Sequence, residues 1–340
     1  MSRPLIIGIA TGRQPGRAVR PSGVASVRLM TRPLLVGIQL PEVEWEVPFP
    51  ELIRMAQTAE DVGFDSVWLG DHLLYDLSVG PRGPWEVWTS LAALAASTER
   101  VLLGPLVASV GFHEPAMLAK LAATVDAVSG GRLIVGLGAG WNEREYRAFG
   151  FPFDRRVSRF EEAFTIIRTL LADGEIDYTG NYYRAEHCVL HPRPTTPGGP
   201  PLMVGSVRPR MLSITLPHVA AWNVWWSNYG NTPSGFAALK SSVEAQAVEL
   251  GVAARSVSAT CAVLVQLPGG AGRRMGAYGG TQVEPVRGTA EEVAEQLGAF
   301  AAAGADHVQL VVDPITRDSI EWFEAMFAAL DGGEPTSTPD

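Results

Sequence analysis

The sequence predicts an α/β fold, a TIM-like (β/α)8 barrel with an insertion region after the fourth strand–helix unit. Three observations predict it. From residue 33 onward, short apolar runs alternate with amphipathic stretches of helical spacing, the pattern of repeated βα units. Eight such units follow one another in a single chain, which suits a closed ring better than an open sheet covered on both faces. No G-x-G-x-x-G follows the first strand, and the glycine-rich GLGAG at 136–140 ends the fourth strand instead, so a dinucleotide-binding sheet is disfavoured.

Each element has its own local reason. LLVGIQL (34–40) is near-continuously apolar, as a strand buried on both faces must be. The first helix covers about 49–62, with Leu52, Ile53, Met55, Ala56 and Ala59 near helical spacing and Gly63 as its stop. FDSVWLG (64–70) is the second strand, a helix covers about 85–96, and VLLGPLVAS (101–109) is the third strand. Pro115 opens the next helix at a position that tolerates proline, and Ser129-Gly130-Gly131 ends it. RLIVGLG (132–138) is the fourth strand, followed by an interrupted helix: NEREYRAFG, a turn through Pro152, then 158–171. Residues 177–190 read as a hairpin insertion around Tyr178-Thr179-Gly180-Asn181-Tyr182. PLMVGS (201–206), a helix from Pro209, a short strand near 219–224, a helix over 234–250 and VSATCAVLVQL (257–267) continue the alternation. PGGAGRRMGAYGG (268–280) reads as a flexible loop. Thr289 with Glu292 forms a capping box for a helix over 289–303, HVQLVVD (307–313) is the eighth strand, and a helix over 317–330 closes the ring.

Composition narrows the function class. Apolar residues make up 46% and charged residues 19% of 340, enough for a sizeable core. A net charge of −9 argues against a nucleic-acid surface. No apolar run approaches the ~20 residues that cross a bilayer, so no membrane partner is expected. Cys188 and Cys261 lie far apart without metal-ligand spacing, which fits a reducing cytoplasm and no metal. Residues 1–29 carry Arg, Gly and Pro and no acidic residue, and LIIGIA is too short for a secretory signal. They read as a disordered extension ahead of Met30, a candidate start. The barrel domain is expected over 30–331 and a disordered tail over 332–340.

A barrel carries its site on the loops after the strand carboxyl ends. Asp71-His72 follow the second strand, and Leu106-Val107-Ala108 lie at the exit of the third. Gly138, Gly140 and Trp141 follow the fourth, and Gly205-Ser206 with Arg208 follow the fifth, ahead of a helix amino terminus suited to phosphate. Trp222, Trp225 and Trp226, with Asn223, follow the sixth strand; they suit an apolar or aromatic substrate pocket, core packing or a subunit contact. His113, His187, His191, His218 and His307 are scattered and are read as structural or surface residues.

GFDSVWLGDHLL (63–74), LAKLAATVDAVSGGRLIVGLGAGWNEREYRAFGFPFDRRVSRFEEAFTIIRTLL (118–171) and GTAEEVAEQLGAFAAAGADHVQL (288–310) together resemble the luciferase-like oxidoreductase family, over about 33–330. The resemblance implies a TIM-like barrel that binds FMN or coenzyme F420, a 5-deazaflavin, at the strand carboxyl ends. It implies that Asp71 accepts from a ring donor and that His72 is the catalytic residue, at the reacting edge; a strand-end Asp that caps a turn beside a packed His is the alternative. Asp-His after the second strand resembles the deazaflavin-using branch, which favours F420 over FMN. Leu106, Val107 and Ala108 match a bulge that can hold a non-prolyl cis peptide behind the ring, at a bond the sequence does not locate. Gly138 and Gly140 imply close backbone approach by the cofactor, with tight packing as the alternative, and Trp141 implies cover for the ring. Trp141 also stands where a sugar-phosphate dehydrogenase branch has a catalytic glutamate, which speaks against a glucose 6-phosphate-type substrate. Gly205, Ser206 and Arg208 imply a phosphate seat, although a second glycine common in relatives is absent. The implied activity is hydride transfer between deazaflavin C5 and a small organic substrate, in a cytoplasmic homodimer. The rival is an FMN-dependent two-component monooxygenase that uses reduced flavin, oxygen and a separate reductase. A non-catalytic flavin-binding barrel and a flavin-free barrel lyase or isomerase complete the alternatives.

Overall fold

The computed structural model describes residues 32–253, 256–272 and 283–332. The extension at 1–29, positions 30 and 31, most of the glycine-rich stretch and the tail from 333 lie outside these residues. The first half of the chain contains β1 (Leu35–Gln39), α1 (Phe49–Val62), β2 (Ser66–Leu69), a hairpin of β3 (Tyr75–Leu77) and β4 (Gly80–Arg82), and α2 (Val87–Ser97). It continues through β5 (Leu102–Pro105), β6 (Ala108–Ser109), α3 (Pro115–Ser129), β7 (Val135–Gly138), α4 (Glu143–Phe149) and α5 (Arg156–Asp173). A second hairpin, β8 (Glu175–Thr179) with β9 (Arg184–Val189), is the insertion after the fourth unit. The ring resumes with β10 (Leu202–Gly205), α6 (Pro209–Thr215), β11 (Ala221–Val224), α7 (Pro233–Glu249) and β12 (Ser258–Gln266). It ends with α8 (Ala290–Ala302), β13 (His307–Asp313) and α9 (Arg317–Gly332).

Nine strands pair in the order β5-β2-β1-β13-β12-β11-β10-β7-β6, every pair parallel. β5 and β6 are two halves of the third barrel strand. β6 pairs with β7 through Ala108 and Leu137, while β5 makes the isolated parallel bridge Leu103–Leu133 to the segment just ahead of β7. The two edges of the sheet therefore meet, and the nine strands occupy eight positions of a barrel. The break between the halves falls at Leu106–Val107, the non-prolyl cis peptide among the described residues.

Inside the ring, Trp68 packs with Leu106, Met203 and Ala221. Its indole N–H donates to Ser66 Oγ at 2.7 Å, and that hydroxyl also meets His307 Nε2 at 2.8 Å. Burial pushes the His307 pKa down to about 3, so the ring is neutral at working pH. Outside the ring, α1 turns Leu52, Met55, Ala56 and Ala59 onto the strands, at the spacing read from the sequence. The capping box of α8 is present in full, with Glu292 N donating to Thr289 Oγ and Thr289 N donating to Glu292 Oε2.

Two differences from the sequence reading stand out. The β3–β4 hairpin was not expected, because strands of three residues are too short to show alternation. Helix α9 runs through Gly332, one residue into the stretch read as tail.

Glu60 on α1 ties this helix to the turn entering β5. Its carboxylate accepts from the backbone N–H groups of Glu99, Arg100 and Val101. Burial works to raise its pKa, but those three donors and the Arg100 charge outweigh it and lower the pKa. A carboxylate lowered in this way adds stability above its unfolded pKa and loses it as pH falls through the folded value. Glu60→Gln is therefore expected to cost about 1–2 kcal/mol at pH 7. In urea unfolding followed from pH 7 downward, the gap between variant and parent should close below the ordinary glutamate range.

Candidate active site

A cavity of about 940 Å³ opens at the carboxyl ends of the barrel strands. Its lining comes from the exits of β1, β2, β6, β7, β10, β11, β12 and β13, so only the closed ring brings these loops together.

At the exit of β2, Asp71 is buried, and its Oδ2 accepts from Ser109 N at 2.8 Å and from His113 Nε2 at 3.2 Å. The carboxylate thus fastens the second strand exit to the third. His113, read as structural, is its partner. Next in sequence, His72 directs Nδ1 at both oxygens of Glu145, 3.2 and 3.1 Å away. Glu145 is 1% exposed and also accepts from Leu73 N at 2.6 Å and Leu74 N at 3.1 Å. A carboxylate can only accept, so Nδ1 carries the proton of this bond and Nε2 is the other end of the ring. Burial depresses the His72 pKa, but the Glu145 hydrogen bond and the charges of Glu42, Glu145 and Asp71 outweigh it, and the net direction is upward. The imidazole lies between aromatic rings, 4.8 Å from Tyr75 and 5.5 Å from Trp141, measured between centroids.

The turn after β7 makes this contact possible. Asn142 caps α4 by accepting from Arg144 N, and its amide donates to Leu74 O at 3.2 Å. Asn142 and Glu145 together clamp residues 72–74 against α4. Gly140 sits at φ 72, and a Cβ there would lie 2.0 Å from Tyr146 Oη and 2.3 Å from Ser109 Oγ, two groups already bonded to each other. Tyr146 Oη also donates to Ala139 O at 3.1 Å.

Gly138 and Gly205 make room for one side chain. A Cβ on either would stand 2.8 or 2.7 Å from Val107 Cγ2, so the valine beyond the cis bond lies between two strands that lack side chains there. Leu106 and Val107 line the cavity, while Ala108 is fully buried in the barrel wall. Ser206 Oγ accepts from Arg208 N at 3.2 Å, and Ser206, Arg208 and Arg156 all line the same cavity.

The sixth-strand tryptophans separate. Trp225 and Trp226 line the cavity with ring centroids 3.7 Å apart. Trp222 does not line it. Strand alternation turns Trp222 outward, where it is 2% exposed and stacks on Phe236 of α7 at 6.0 Å, so it is a packing residue and the pocket reading is corrected for it. Asn223, its neighbour in β11, turns inward and donates to Thr260 Oγ1 and Gln309 Oε1.

Sequence reasoning missed Glu145, Glu42 and Arg156. Glu145 lies in the charged run NEREY, which looks like a solvated helix start; the adjacent fully buried Tyr146 marks the inward face. Glu42, 7% exposed, lies in an acidic loop, PEVEWE, and meets Gln39 Nε2 and the Tyr75 hydroxyl.

The geometry makes the His72 proton depend on Glu145. Glu145→Gln is expected to lower the His72 pKa, read from the imidazole NMR shift against pH. A histidine raised by a carboxylate adds stability below its unfolded pKa and loses it as pH rises through the folded value. The variant should therefore be destabilised more at pH 6 than at pH 9.

Comparison with known proteins agrees with this architecture. The family described as luciferase-like monooxygenase matches residues 34–267. An F420-dependent glucose-6-phosphate dehydrogenase of Amycolatopsis mediterranei is 35% identical over 152 residues, 43% of this chain and 45% of that relative. A 5,10-methylenetetrahydromethanopterin reductase of Archaeoglobus fulgidus is 30% identical over 169 residues, 50% of this chain and 47% of the relative. The chain thus spans about half the length of the curated relatives it matches. An F420-dependent secondary alcohol dehydrogenase, solved with an F420–acetone adduct, superposes with a TM-score of 0.71 at 20% identity, over 87% of this chain and 99% of that one. That likeness is one of fold. With the family matched across more than half of its residues, the chain belongs to the luciferase-like monooxygenase family.

Proposed function

We propose that the chain is an F420-dependent oxidoreductase that transfers a hydride between deazaflavin C5 and a small organic substrate in the 940 Å³ cavity. The observation that carries this is His72, one residue beyond the β2 exit loop's Asp71, lining the cavity and backed by a buried carboxylate. The relatedness to an F420-dependent dehydrogenase supports the same cofactor.

The residues present fit such a group. Arg156, Ser206 and Arg208 supply two guanidinium groups and a hydroxyl where a cofactor phosphate would be held. The backbone at Leu106–Val107 and the indole of Trp141 are the surfaces that would hold the tricyclic ring. Gly138 and Gly205 seat Val107 in the cavity wall, which would support such a ring. When bound, the deazaflavin supplies the two-electron hydride chemistry. The chain supplies the rest. His72 holds or moves a proton at Nε2, and Glu145 fixes the tautomer and keeps the imidazole basic enough to exchange protons near neutral pH. Trp225, Trp226 and Phe112 contribute apolar wall that excludes water from the reacting groups. Asp71 acts through Ser109 and His113 to hold the loops in register.

A homodimeric cytoplasmic enzyme completes this reading. The family resemblance supports the dimer, the free Cys188 and Cys261 fit a reducing compartment, and light scattering on the purified chain tests the dimer. Among the described residues no helix is long and apolar enough to cross a membrane.

Titration with F420 and FMN at matched salt should give at least tenfold tighter F420 binding, about 1.4 kcal/mol. Equal affinity, or oxygen consumption with reduced FMN, would instead support the two-component monooxygenase. His72→Ala should lower kcat by about 10²–10⁴-fold while cofactor Kd changes little. Near-normal kcat with a large rise in Kd would make His72 a binding residue only.

A further inference from the structure

Beneath the β3–β4 hairpin, between the loop after β1 and the start of α2, lies a second cavity of about 540 Å³. Val43, Val47, Leu52 and Leu69 give it buried apolar walls, and Trp45 and Trp85 add two indole surfaces. Both indoles are fixed by their N–H groups: Trp45 Nε1 donates to Ile315 O and Trp85 Nε1 to Val47 O, each at 2.9 Å. Phe49 braces Trp85 edge-on at 5.6 Å. These rings are prebuilt walls, so binding against them costs little ordering.

Two polar groups on this cavity have hydrogen-bonding capacity left. Ser90, 1% exposed, has a hydroxyl with no hydrogen-bond partner, and buried hydroxyls are ordinarily paired. The Arg82 guanidinium reaches Val43 O and Glu44 O only at 3.4 Å, and Glu46 Oε1 only at 3.8 Å. Long contacts of this kind leave donors for something better placed. Glu42 and Glu46 line the same space and set its sign, since an added anion would face two carboxylates against one cation. A cavity of this size, walled by indole faces and polar groups together, has room for a small molecule.

We propose that the second cavity is a binding site for a neutral, planar aromatic molecule that carries a carbonyl or hydroxyl oxygen. The ring lies against the Trp45 and Trp85 indoles, and the oxygen satisfies Ser90 and Arg82. Glu42 lines both cavities and separates this molecule from His72. Glu42 is the lining residue the two cavities share, and the test below reads binding to the second without the cofactor.

The test is calorimetric titration of the full chain with 2-naphthol, neutral at pH 7, and with its anionic counterpart 2-naphthoate. Sub-millimolar binding of 2-naphthol is expected, with 2-naphthoate at least tenfold weaker. Ser90→Ala removes a hydroxyl that has no protein partner, so it should fold with an unchanged Tm and weaken 2-naphthol at least fivefold. Trp85→Ala should weaken it as well, whereas Trp225→Ala, on the wall of the first cavity, should not. No saturable binding, equal or tighter binding of 2-naphthoate, or indifference to Ser90→Ala would overturn the proposal. Binding that is lost in Trp225→Ala and kept in Trp85→Ala would also overturn it, by placing the probe in the first cavity.

Discussion

Parallel strands in a ring leave no edge unpaired only if the first-formed edge finds the last, and here that closure runs through an interrupted strand. β5 bridges Leu133 just ahead of β7 through Leu103, and β6 pairs with β7 through Ala108–Leu137, with the Leu106–Val107 bond between them. The interruption turns Val107 toward β7 and β10, where only glycine leaves space. It also brings Ser109 N within reach of Asp71, so the same departure that shapes the cavity wall ties two strand exits together.

The electrostatics of the site follow from that frame. Asp71, Glu42 and Glu145 are all buried near one imidazole, a density of acid that a protein interior accepts only when each group is hydrogen-bonded. Each of them is. Asp71 takes Ser109 and His113, Glu42 takes Gln39 and Tyr75, and Glu145 takes Leu73, Leu74 and His72. The Glu145 hydrogen bond, together with their charges, outweighs the burial of His72 and makes its protonated form easier to reach. Glu42 also lines the second cavity, on the side that faces the proposed aromatic molecule. One acidic loop after β1 therefore influences the chemistry available to two separate spaces.

The sequence by itself determined the repeating architecture, and the reasons are local. Near-continuously apolar strands, helices with one apolar stripe, the Thr289–Glu292 box and the Gly63 and Gly130 stops are each set by residues within a few positions of one another. The strand exits carrying Asp71-His72, Leu106-Val107, Gly138–Trp141 and Gly205–Arg208 were legible for the same reason: each is the end of a local pattern. The β3–β4 hairpin was not, since three residues carry too little periodicity.

What only the tertiary structure decided is which of those residues meet. His72 and Glu145 are 73 positions apart, and Asp71 and Ser109 are 38 apart. No spacing rule links them, because barrel closure brings their loops together rather than helical or strand period. The tertiary structure likewise divided three neighbouring tryptophans, sending Trp222 to the helix layer and leaving Trp225 and Trp226 at the cavity. It assigned Gly138 and Gly205 to a valine side chain from another strand. Side-chain direction and partner choice across a closed ring depend on the register of strands remote in sequence, and that register is fixed only when every strand has found both neighbours.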